Sequence, residues 1–397
     1  MPAVPRNVLR SLIAGLWVLV LAGCVSTDSR PSKTRARISP PPVVVPAEII
    51  GGHFIVTLKW GENGPWRFLV DTGSTTTLVS PEFARLNPGR KTAQDGSPVR
   101  VRSGEGDTIS LQSTTLGLME LGHVRLKNTP ALVYDCSELS AHFGRKIDGV
   151  LGFPLFRHLL LTLDYPRSRL VLQSPDAAGG RLPGHTVRFN NDRRVPFIPV
   201  ELGGRPFIAL IDTGSDGSLH LNPAGLHPDF ANGPRPGGTV ATVTGDNPLE
   251  VGRLAQDLTV GGTTFIRPIV ELTDELSSLG SGLLKNFRLT FDQTRNQVTF
   301  YRETDAPVLT PSQRSAGLSF RKLPAYWRVL DVVPESPADE NGVQAGDLVT
   351  RINGEPVSAW DFRRYDELVR TAGRIEFTFL NGRTEMPVPI DTFALVP

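Results

Sequence analysis

The stretch FLVDTGSTTTLVS, from Phe68 to Ser80, decides how this chain is interpreted, because it recurs as ALIDTGSDGSLHL from Ala209 to Leu221. In each copy an apolar strand runs into Asp-Thr-Gly-Ser. Such a strand delivers a carboxylate to the edge of a buried site, and the glycine behind it permits a tight turn. One copy is a weak signal, since Asp side chains close many turns. The repetition is therefore the informative feature.

The repetition extends well beyond the motif. The segment HFIVTLKWGENGPWRFLVDTGS, which begins at His53, matches PFIPVELGGRPFIALIDTGS, which begins at Pro196, as strand, Gly turn, Pro, strand and motif. Downstream, Leu151-Gly152 and Leu279-Gly280 stand at the same distance before a closing strand. These matches predict an internal duplication that forms two small all-β lobes.

Composition supports a mainly β, multidomain protein. The 39 glycines and 34 prolines favour short strands and turns over long helices. The predicted segments are a signal peptide (1–23), a Pro-rich basic tether (24–47), lobe 1 (48–175), an inter-lobe linker (176–190), lobe 2 (191–302), a second linker (303–314) and a small α+β domain (315–397).

Charge and motif content argue against several classes of function. The formal net charge is only +2, which does not indicate a nucleic-acid surface. The seven histidines show no paired metal-ligand spacing, and the Gly-x-Ser-x-Gly turn of many serine hydrolases is absent from the sequence. We therefore expect no metal and no cofactor.

The N-terminus indicates targeting to a membrane. Arg6 and Arg10 precede an apolar run, Leu12–Gly23, which is short for a membrane span and ends directly before Cys24. This pattern resembles a bacterial lipoprotein signal. The resemblance implies cleavage before Cys24 and a lipid on that residue, while Val25 in place of Asp favours the outer membrane. A simple anchor helix with a chance Cys is the alternative.

The two lobes resemble the aspartic proteases, the retroviral and pepsin-like group, over roughly Ile49–Tyr301. The resemblance implies two lobes packed with pseudo-two-fold symmetry in one chain, with no obligate dimer and with protein or peptide as the substrate. The implied catalytic pair is Asp71 and Asp212. Residues that support the catalytic loops are Thr72, Gly73, Ser74, Thr213, Gly214, Ser215, Gly152 and Gly280. The second copy has Ser278 where the first has the apolar Val150, so the packing behind lobe 2 is its weaker point.

The expected chemistry follows from bringing two carboxyl groups together. Two carboxylates a few ångströms apart share one proton, and the ionised one activates a water that attacks the amide. Hydroxyl groups of Ser74 and Ser215 are expected to donate to the carboxylates and to favour an acidic working range. Flap candidates are Val101–Leu111 and Thr242–Val251.

The last segment resembles a bacterial PDZ domain over about Ser315–Ile390. The matching features are SPAD at Ser336–Asp339 and AGDLVTRING at Ala345–Gly354. The resemblance implies binding of a peptide C-terminus, with the carboxylate-binding loop at Gly317, Leu318, Ser319 and Phe320. A PDZ-like domain that only packs on its neighbour is the alternative.

The leading hypothesis is an envelope-anchored, periplasm-facing aspartic endopeptidase whose PDZ domain recognises or regulates substrates. The alternative is a non-catalytic lipoprotein scaffold that binds peptides. Cys136, without a matched His and Asn motif, is expected to be a small buried residue rather than a nucleophile.

Overall fold

A computed structural model describes residues 35–37, 42–60, 63–102, 108–177, 182–241, 246–323 and 325–397. The predicted signal peptide and Cys24 lie outside this part of the chain, as do residues 103–107 of the first flap candidate and residues 242–245 of the second. Envelope anchoring therefore stays a prediction. Within the described ranges, none of the helices has the length and hydrophobicity needed to cross a membrane.

The protein is mainly β. The strands up to residue 177 are β1 Arg35–Arg37, β2 Val43–Ile50, β3 His53–Trp60, β4 Asn63–Asp71, β5 Thr77–Val79, β6 Pro98–Arg102, β7 Thr108–Leu121, β8 Val124–Val133, β9 Gly149–Gly152, β10 Leu160–Asp164 and β11 Arg169–Gln173. Helices α1 Pro81–Leu86 and α2 Ser137–Phe143 and the 3₁₀ turns Phe153–Phe156, Tyr165–Arg167 and Pro175–Ala177 lie among them.

Residues 182–302 carry a second set of short strands. These are β12 His185–Arg188, β13 Phe197–Leu202, β14 Arg205–Ile211, β15 Leu219–Leu221, β16 Phe230–Ala241, β17 Asp246–Leu254, β18 Leu258–Val260, β19 Thr263–Ile266, β20 Ile269–Leu272, β21 Ser278–Leu279, β22 Arg288–Asp292 and β23 Gln297–Tyr301, with α3 Ser281–Leu284 before β22.

The segment predicted to be a PDZ domain, called the PDZ domain below, completes the chain. Its elements, with those that lead into it, are β24 Val308–Leu309, β25 Gln313–Ser315, β26 Leu318–Lys322, β27 Trp327–Val332, α4 Pro337–Glu340, β28 Leu348–Ile352, β29 Glu355–Pro356, the 3₁₀ turn Val357–Ala359, α5 Phe362–Thr371, β30 Arg374–Asn381, β31 Thr384–Asp391 and β32 Phe393–Val396.

Local chemistry explains these elements. In β13 the buried Phe197, Ile198, Val200 and Leu202 are interrupted by exposed Pro199 and Glu201, as expected of a half-buried strand. The turn from β13 to β14 uses Gly203-Gly204, with φ of +55° and +78°, which a tight hairpin requires and glycine adopts without strain.

A sheet shared by the two lobes joins them. Its strand order is β12-β23-β22-β10-β11-β2, and β10 pairs antiparallel with β22 at its centre. A hydrophobic core of large side chains from both lobes lies against it. The catalytic candidates are therefore held by a scaffold that belongs to both lobes.

This sheet corrects two predicted boundaries. Val43–Ile50 begins inside the predicted tether and pairs with both β11 and β3, and Arg35–Arg37 pairs with β8. His185–Arg188 lies in the predicted inter-lobe linker but pairs with β23. Both segments find partners far away in sequence, which local composition does not reveal.

The PDZ domain has its own core around the fully buried Trp327. Its sheet runs β26-β27-β28-β30-β31, with β26 at the edge. Helix α4 begins at Ser336, whose side chain accepts the N–H of Asp339 at 3.3 Å, a standard N-cap.

The PDZ domain packs against both lobes. On lobe 2 an apolar cluster joins Val251 and Ile269 to Val333, Leu395 and Val396 of the PDZ segment. On lobe 1, α2 contacts α5, where the rings of His142 and Phe362 are 6.5 Å apart.

Candidate active site

Each Asp-Thr-Gly-Ser motif stands at the end of a strand in the same local arrangement. In lobe 1, β4 pairs parallel with β9, so that Asp71 lies beside Gly152, and β5 pairs with the other edge of β9. In lobe 2, β14 pairs parallel with β21, and β15 pairs with the other edge of β21. This arrangement fixes both Asp residues on buried strands rather than on free loops.

The two motif loops are tied to each other by threonine. Thr72 donates its hydroxyl to the Ile211 carbonyl at 2.7 Å, and its N–H donates to Thr213 Oγ1 at 3.0 Å. The reciprocal bonds run from Thr213 Oγ1 to the Val70 carbonyl at 2.8 Å and from the Thr213 N–H to Thr72 Oγ1 at 3.1 Å. All of these groups are buried, so the four bonds hold the Asp residues in a fixed relation.

Removing one threonine hydroxyl should weaken the whole fold. Thr72→Val deletes one donor and leaves the Ile211 carbonyl and the Thr213 N–H unpaired in the interior, which costs about 2 kcal/mol or more of unfolding free energy. Urea denaturation followed by far-UV circular dichroism measures the change. Thr76→Val, in the same loop but outside this set of bonds, serves as the control. Equal stability of Thr72→Val and the wild type would contradict the assigned role.

Glycine behind each Asp allows the loops to meet. A Cβ on Gly73 would lie 2.5 Å from Asp212 Oδ1, and a Cβ on Gly214 would lie 2.5 Å from Asp71 Cγ. Side chains at these positions would occupy the space of the opposite carboxyl group. Gly152 and Gly280 lie behind the loops, where a Cβ would come within 2.2 Å of the carbonyl oxygen of Thr76 or Gly217, respectively.

The structure brings Asp71 and Asp212 together. Asp71 is 0% exposed and Asp212 is 1% exposed. Asp71 Oδ1 accepts the N–H groups of Gly73 at 2.7 Å and Ser74 at 3.1 Å, and Asp212 Oδ1 accepts that of Gly214 at 2.9 Å. The Oδ2 atom of each is buried and accepts no N–H or hydroxyl group of the described residues, and the two carboxyl groups interact with each other.

Electrostatics favour one shared proton. Burial, and next the charge of Asp212, raise the pKa of Asp71 well above its usual value, against the opposing N–H groups of Gly73 and Ser74. Burial also raises the pKa of Asp212 to about 6, opposed by the Gly214 N–H, by Asp71 and by nearby histidines. A pair with both pKa values raised holds a single proton over mildly acidic to neutral pH.

The serine hydroxyls do not do what the sequence predicts. Ser74 Oγ donates to the Thr76 carbonyl at 2.7 Å, and Ser215 Oγ lies 3.5 Å from His220 Nδ1. The turn after the motif directs these side chains away from the carboxylates, and only the Ser74 backbone N–H reaches Asp71. The prediction of serine hydroxyls that promote ionisation of the carboxylates is therefore wrong, and the acidic working range loses its basis.

Behind the lobe 2 motif lies a polar group that sequence reasoning missed. Ser278 is 1% exposed and its Oγ lies 3.0 Å from His220 Nδ1, while His220 Nε2 lies 3.1 Å from Glu271 Oε2. Ser278 in the position of an apolar residue is thus paired rather than a packing defect. The available sequence signal for this group was that His220 and Ser278 are polar, while the matching strands of the first copy are apolar.

The residues predicted to form the PDZ carboxylate-binding loop are mostly in a strand. Gly317 lies in a turn with φ of +77°, but Leu318, Ser319 and Phe320 belong to β26 and pair with β27. Leu318 and Phe320 face the PDZ core, while Ser319 Oγ accepts the N–H of Thr239 from lobe 2 at 2.9 Å. Their alternating burial is that of a strand, so the predicted residues lie where the chain enters β26, and binding of a peptide carboxylate there stays a prediction.

Two hairpins correspond to the flap candidates, and each contacts another part of the protein. The first hairpin, β6–β7, carries Arg102, which forms a 2.9 Å ion pair with Glu275 of lobe 2. The second hairpin, β16–β17, carries Thr239, which donates its hydroxyl to Asp331 of the PDZ domain at 2.8 Å.

A thiol nucleophile and a metal site find no support among the described residues. Burial, aided by Asp148 and Asp135, raises the pKa of the Cys136 thiol to about 12, so this thiol is not a nucleophile at neutral pH. Among the described residues, no group of His, Cys, Asp and Glu has the geometry of a metal site.

Comparison with known proteins identifies two classes of domain. A family model described as an aspartyl protease matches residues 56–155, and one described as a PDZ domain matches residues 328–379. The chain therefore carries an aspartyl-protease-like domain followed by a C-terminal PDZ domain. The first match contains Asp71 and Gly152 but ends before Asp212.

Among curated proteins, the chain is similar to serine protease HTRA3 of Mus musculus. The two are 28% identical over 97 residues, which is 24% of this chain and 20% of that protein. The matched part thus spans about a fifth of the length of that relative. The family model is described as an aspartyl protease and this relative as a serine protease, so the two descriptions differ in the type of catalytic residue.

Proposed function

We propose that the protein is an aspartic endopeptidase in which Asp71 and Asp212 form one catalytic dyad. The observation that carries the proposal is that the two buried carboxyl groups interact with each other, while the Oδ2 atom of each accepts no N–H or hydroxyl group of the described residues. Two buried carboxyl groups with spare acceptor oxygens can bind one water between them, and in the proposed reaction that water attacks the peptide carbonyl.

The reaction follows from the shared proton. The ionised carboxyl group takes a proton from the water as its oxygen bonds to the carbonyl carbon, and the protonated one donates to the carbonyl oxygen. The tetrahedral intermediate then collapses as the amide nitrogen accepts a proton and the C–N bond breaks. No covalent enzyme intermediate and no metal are required by these steps.

The pairing between lobes supports the predicted pseudo-two-fold relation. Strands β10 and β22 pair antiparallel with Thr162 opposite Thr290, and the two hydroxyls are 2.9 Å apart. These threonines occupy the same place in the two sequence copies. A two-fold axis passing between them would relate Asp71 to Asp212.

Access to the dyad supports a regulatory role for the PDZ domain. Both Asp residues are at most 1% exposed, so a peptide reaches them only after an opening movement. The second hairpin is one candidate for that movement, and Thr239 attaches it to the PDZ domain through Ser319 and Asp331. We therefore assign the PDZ domain the control of substrate entry.

One experiment tests aspartic against serine chemistry. The purified chain is incubated with an unfolded protein, and cleavage is compared for the wild type, Ser278→Ala and the double variant Asp71→Asn/Asp212→Asn. We expect Ser278→Ala to keep most activity, because the Ser278 hydroxyl is paired with His220 behind the lobe 2 motif and the proposed reaction gives it no chemical step. The double variant should be inactive. Loss of cleavage in Ser278→Ala alone would refute the proposal, and wild-type binding of peptide without cleavage would favour the scaffold function.

A further inference from the structure

The two lobes surround their Asp residues with different chemistry. In lobe 1, strand β5 pairs Leu78 with Val150 on one side and with Leu132 on the other, and all three side chains are buried. In lobe 2, the corresponding strand β15 pairs His220 with Ser278 and with Glu271. A wholly apolar set in one lobe is thus replaced by a hydrogen-bonded polar set in the other.

His220 is held so that it can carry charge. Its side chain is 8% exposed, and its Nε2 lies 3.1 Å from a Glu271 carboxylate oxygen, with 20% of that side chain exposed. The other ring nitrogen faces Ser278 Oγ at 3.0 Å and Ser215 Oγ at 3.5 Å. Since Ser215 follows Asp212 by three residues, the imidazole lies between Glu271 and the loop that presents Asp212.

A second buried histidine reaches the same loop from lobe 1. His53 is 2% exposed, its Nδ1 lies 3.2 Å from the Ile50 carbonyl, and its Nε2 lies 3.1 Å from the Gly214 carbonyl. Carbonyl oxygens only accept, so the geometry offers each ring nitrogen an acceptor, and this arrangement suits the imidazolium form, in which both nitrogens donate. The matching position of the second sequence copy is Pro196, which has no charge to offer Asp71.

We propose that His220 and His53 are positioning residues that hold the negative charge of the dyad on Asp212 and leave its proton on Asp71. Asp212 is then the base that takes the proton from water, and Asp71 is the acid that donates to the carbonyl. This inference rests on the proposed function and assigns separate roles within the dyad. It makes the site asymmetric, although the two motifs have the same sequence.

The charges around Asp212 agree with this assignment. The groups that face it are Asp71 from the opposite loop, His220, His53 and the buried Tyr165, with Glu271 behind His220 and His142 beside His53. Burial dominates its pKa and raises it, and the two histidines act in the opposite direction. Asp71, by contrast, has the Asp212 charge as its main electrostatic influence, and that charge raises its pKa further.

The test replaces the polar set of lobe 2 by the apolar set of lobe 1. The full chain is made as His220→Leu/Ser278→Val/Glu271→Leu, with His53→Gln as a separate variant and His185→Gln, at an exposed histidine, as the control. The ¹³C signal of the Asp212 carboxyl, identified by its loss in Asp212→Asn, is titrated by NMR. We expect its midpoint to rise by about one pH unit in the triple variant and in His53→Gln, because a nearby cation has been removed. The control should not change it.

A kinetic measurement accompanies the NMR titration. The acidic limb of the kcat/KM–pH profile on an unfolded protein should move to higher pH by the same amount, since this limb reports the ionisation of the base. Glu271→Gln keeps the size of the side chain and should give a smaller shift in the same direction. This single variant keeps the test usable if the triple variant fails to fold. An Asp212 midpoint unchanged in His53→Gln and Glu271→Gln overturns the inference. If no variant cleaves, including the wild type, the proposed function fails and the NMR titration still decides the charge assignment.

Discussion

Asp71→Asn alone should lower kcat/KM for an unfolded protein by on the order of 10⁴-fold, and Asp212→Asn should do the same. In the proposed reaction the two carboxyl groups share one proton and bind one water, so loss of either carboxyl group abolishes activation of the water. The double variant should therefore be no worse than each single variant. Initial rates at several pH values, with Asp176→Asn as a control at an exposed carboxyl group, measure the effect.

Stability separates this outcome from misfolding. Burial raises the pKa of both Asp71 and Asp212, so placing a charge in this site opposes folding at neutral pH. An amide of the same shape removes that cost, and the melting temperature of each single variant should equal or exceed that of the wild type. Strictly additive losses in the double variant, or activity remaining in either single variant, would show that the two residues do not act as one dyad.

The second large effect is expected at the contact between the second hairpin and the PDZ domain. Thr239→Glu places a carboxylate opposite Asp331 and removes the hydroxyl that donates to it at 2.8 Å. Like charges at this distance repel, so the PDZ domain should separate from the hairpin. We expect kcat/KM for an unfolded protein to rise on the order of five-fold or more, as a domain contact worth about one or two kcal/mol is lost.

Thr239→Lys is the matched control. It has a side chain of similar length but the opposite charge, so it should attract Asp331 and leave activity equal to the wild type or below it. Added salt should reduce the difference between the two variants, because the contact is partly exposed. Hydrogen exchange in Leu318–Lys322 would report the separation directly. Faster cleavage in both variants, or in neither, would contradict control of entry by the PDZ domain.

The sequence predicts the parts of the fold that repeat. Apolar strands that lead into Asp71 and Asp212 were recognisable because both copies keep the same order of strand, turn and motif. The PDZ domain was recognisable from local motifs such as Ala345–Gly354. The PDZ motifs could be recognised within one short segment, and the Asp-Thr-Gly-Ser strands could be recognised because they occur twice.

The remaining features depend on contacts between distant segments. Strand His185–Arg188 has no partner until Gln297–Tyr301 folds beside it, so composition alone suggested a linker. His220 and Ser278 become a pair only through the register of β15 against β21. The direction of the Ser74 hydroxyl is set by the turn after it, which no propensity encodes.

The strands that open and close the PDZ segment pair with each other, Gln313–Ser315 with Phe393–Val396. The chain thus enters and leaves this domain at one place. A module whose ends adjoin can be transplanted into another host by a single pair of short connections, without stretching its interior. Arg253 of the second hairpin donates to the carbonyl groups of both Thr310 and Pro397, so both ends of this domain lie against the hairpin that carries Thr239.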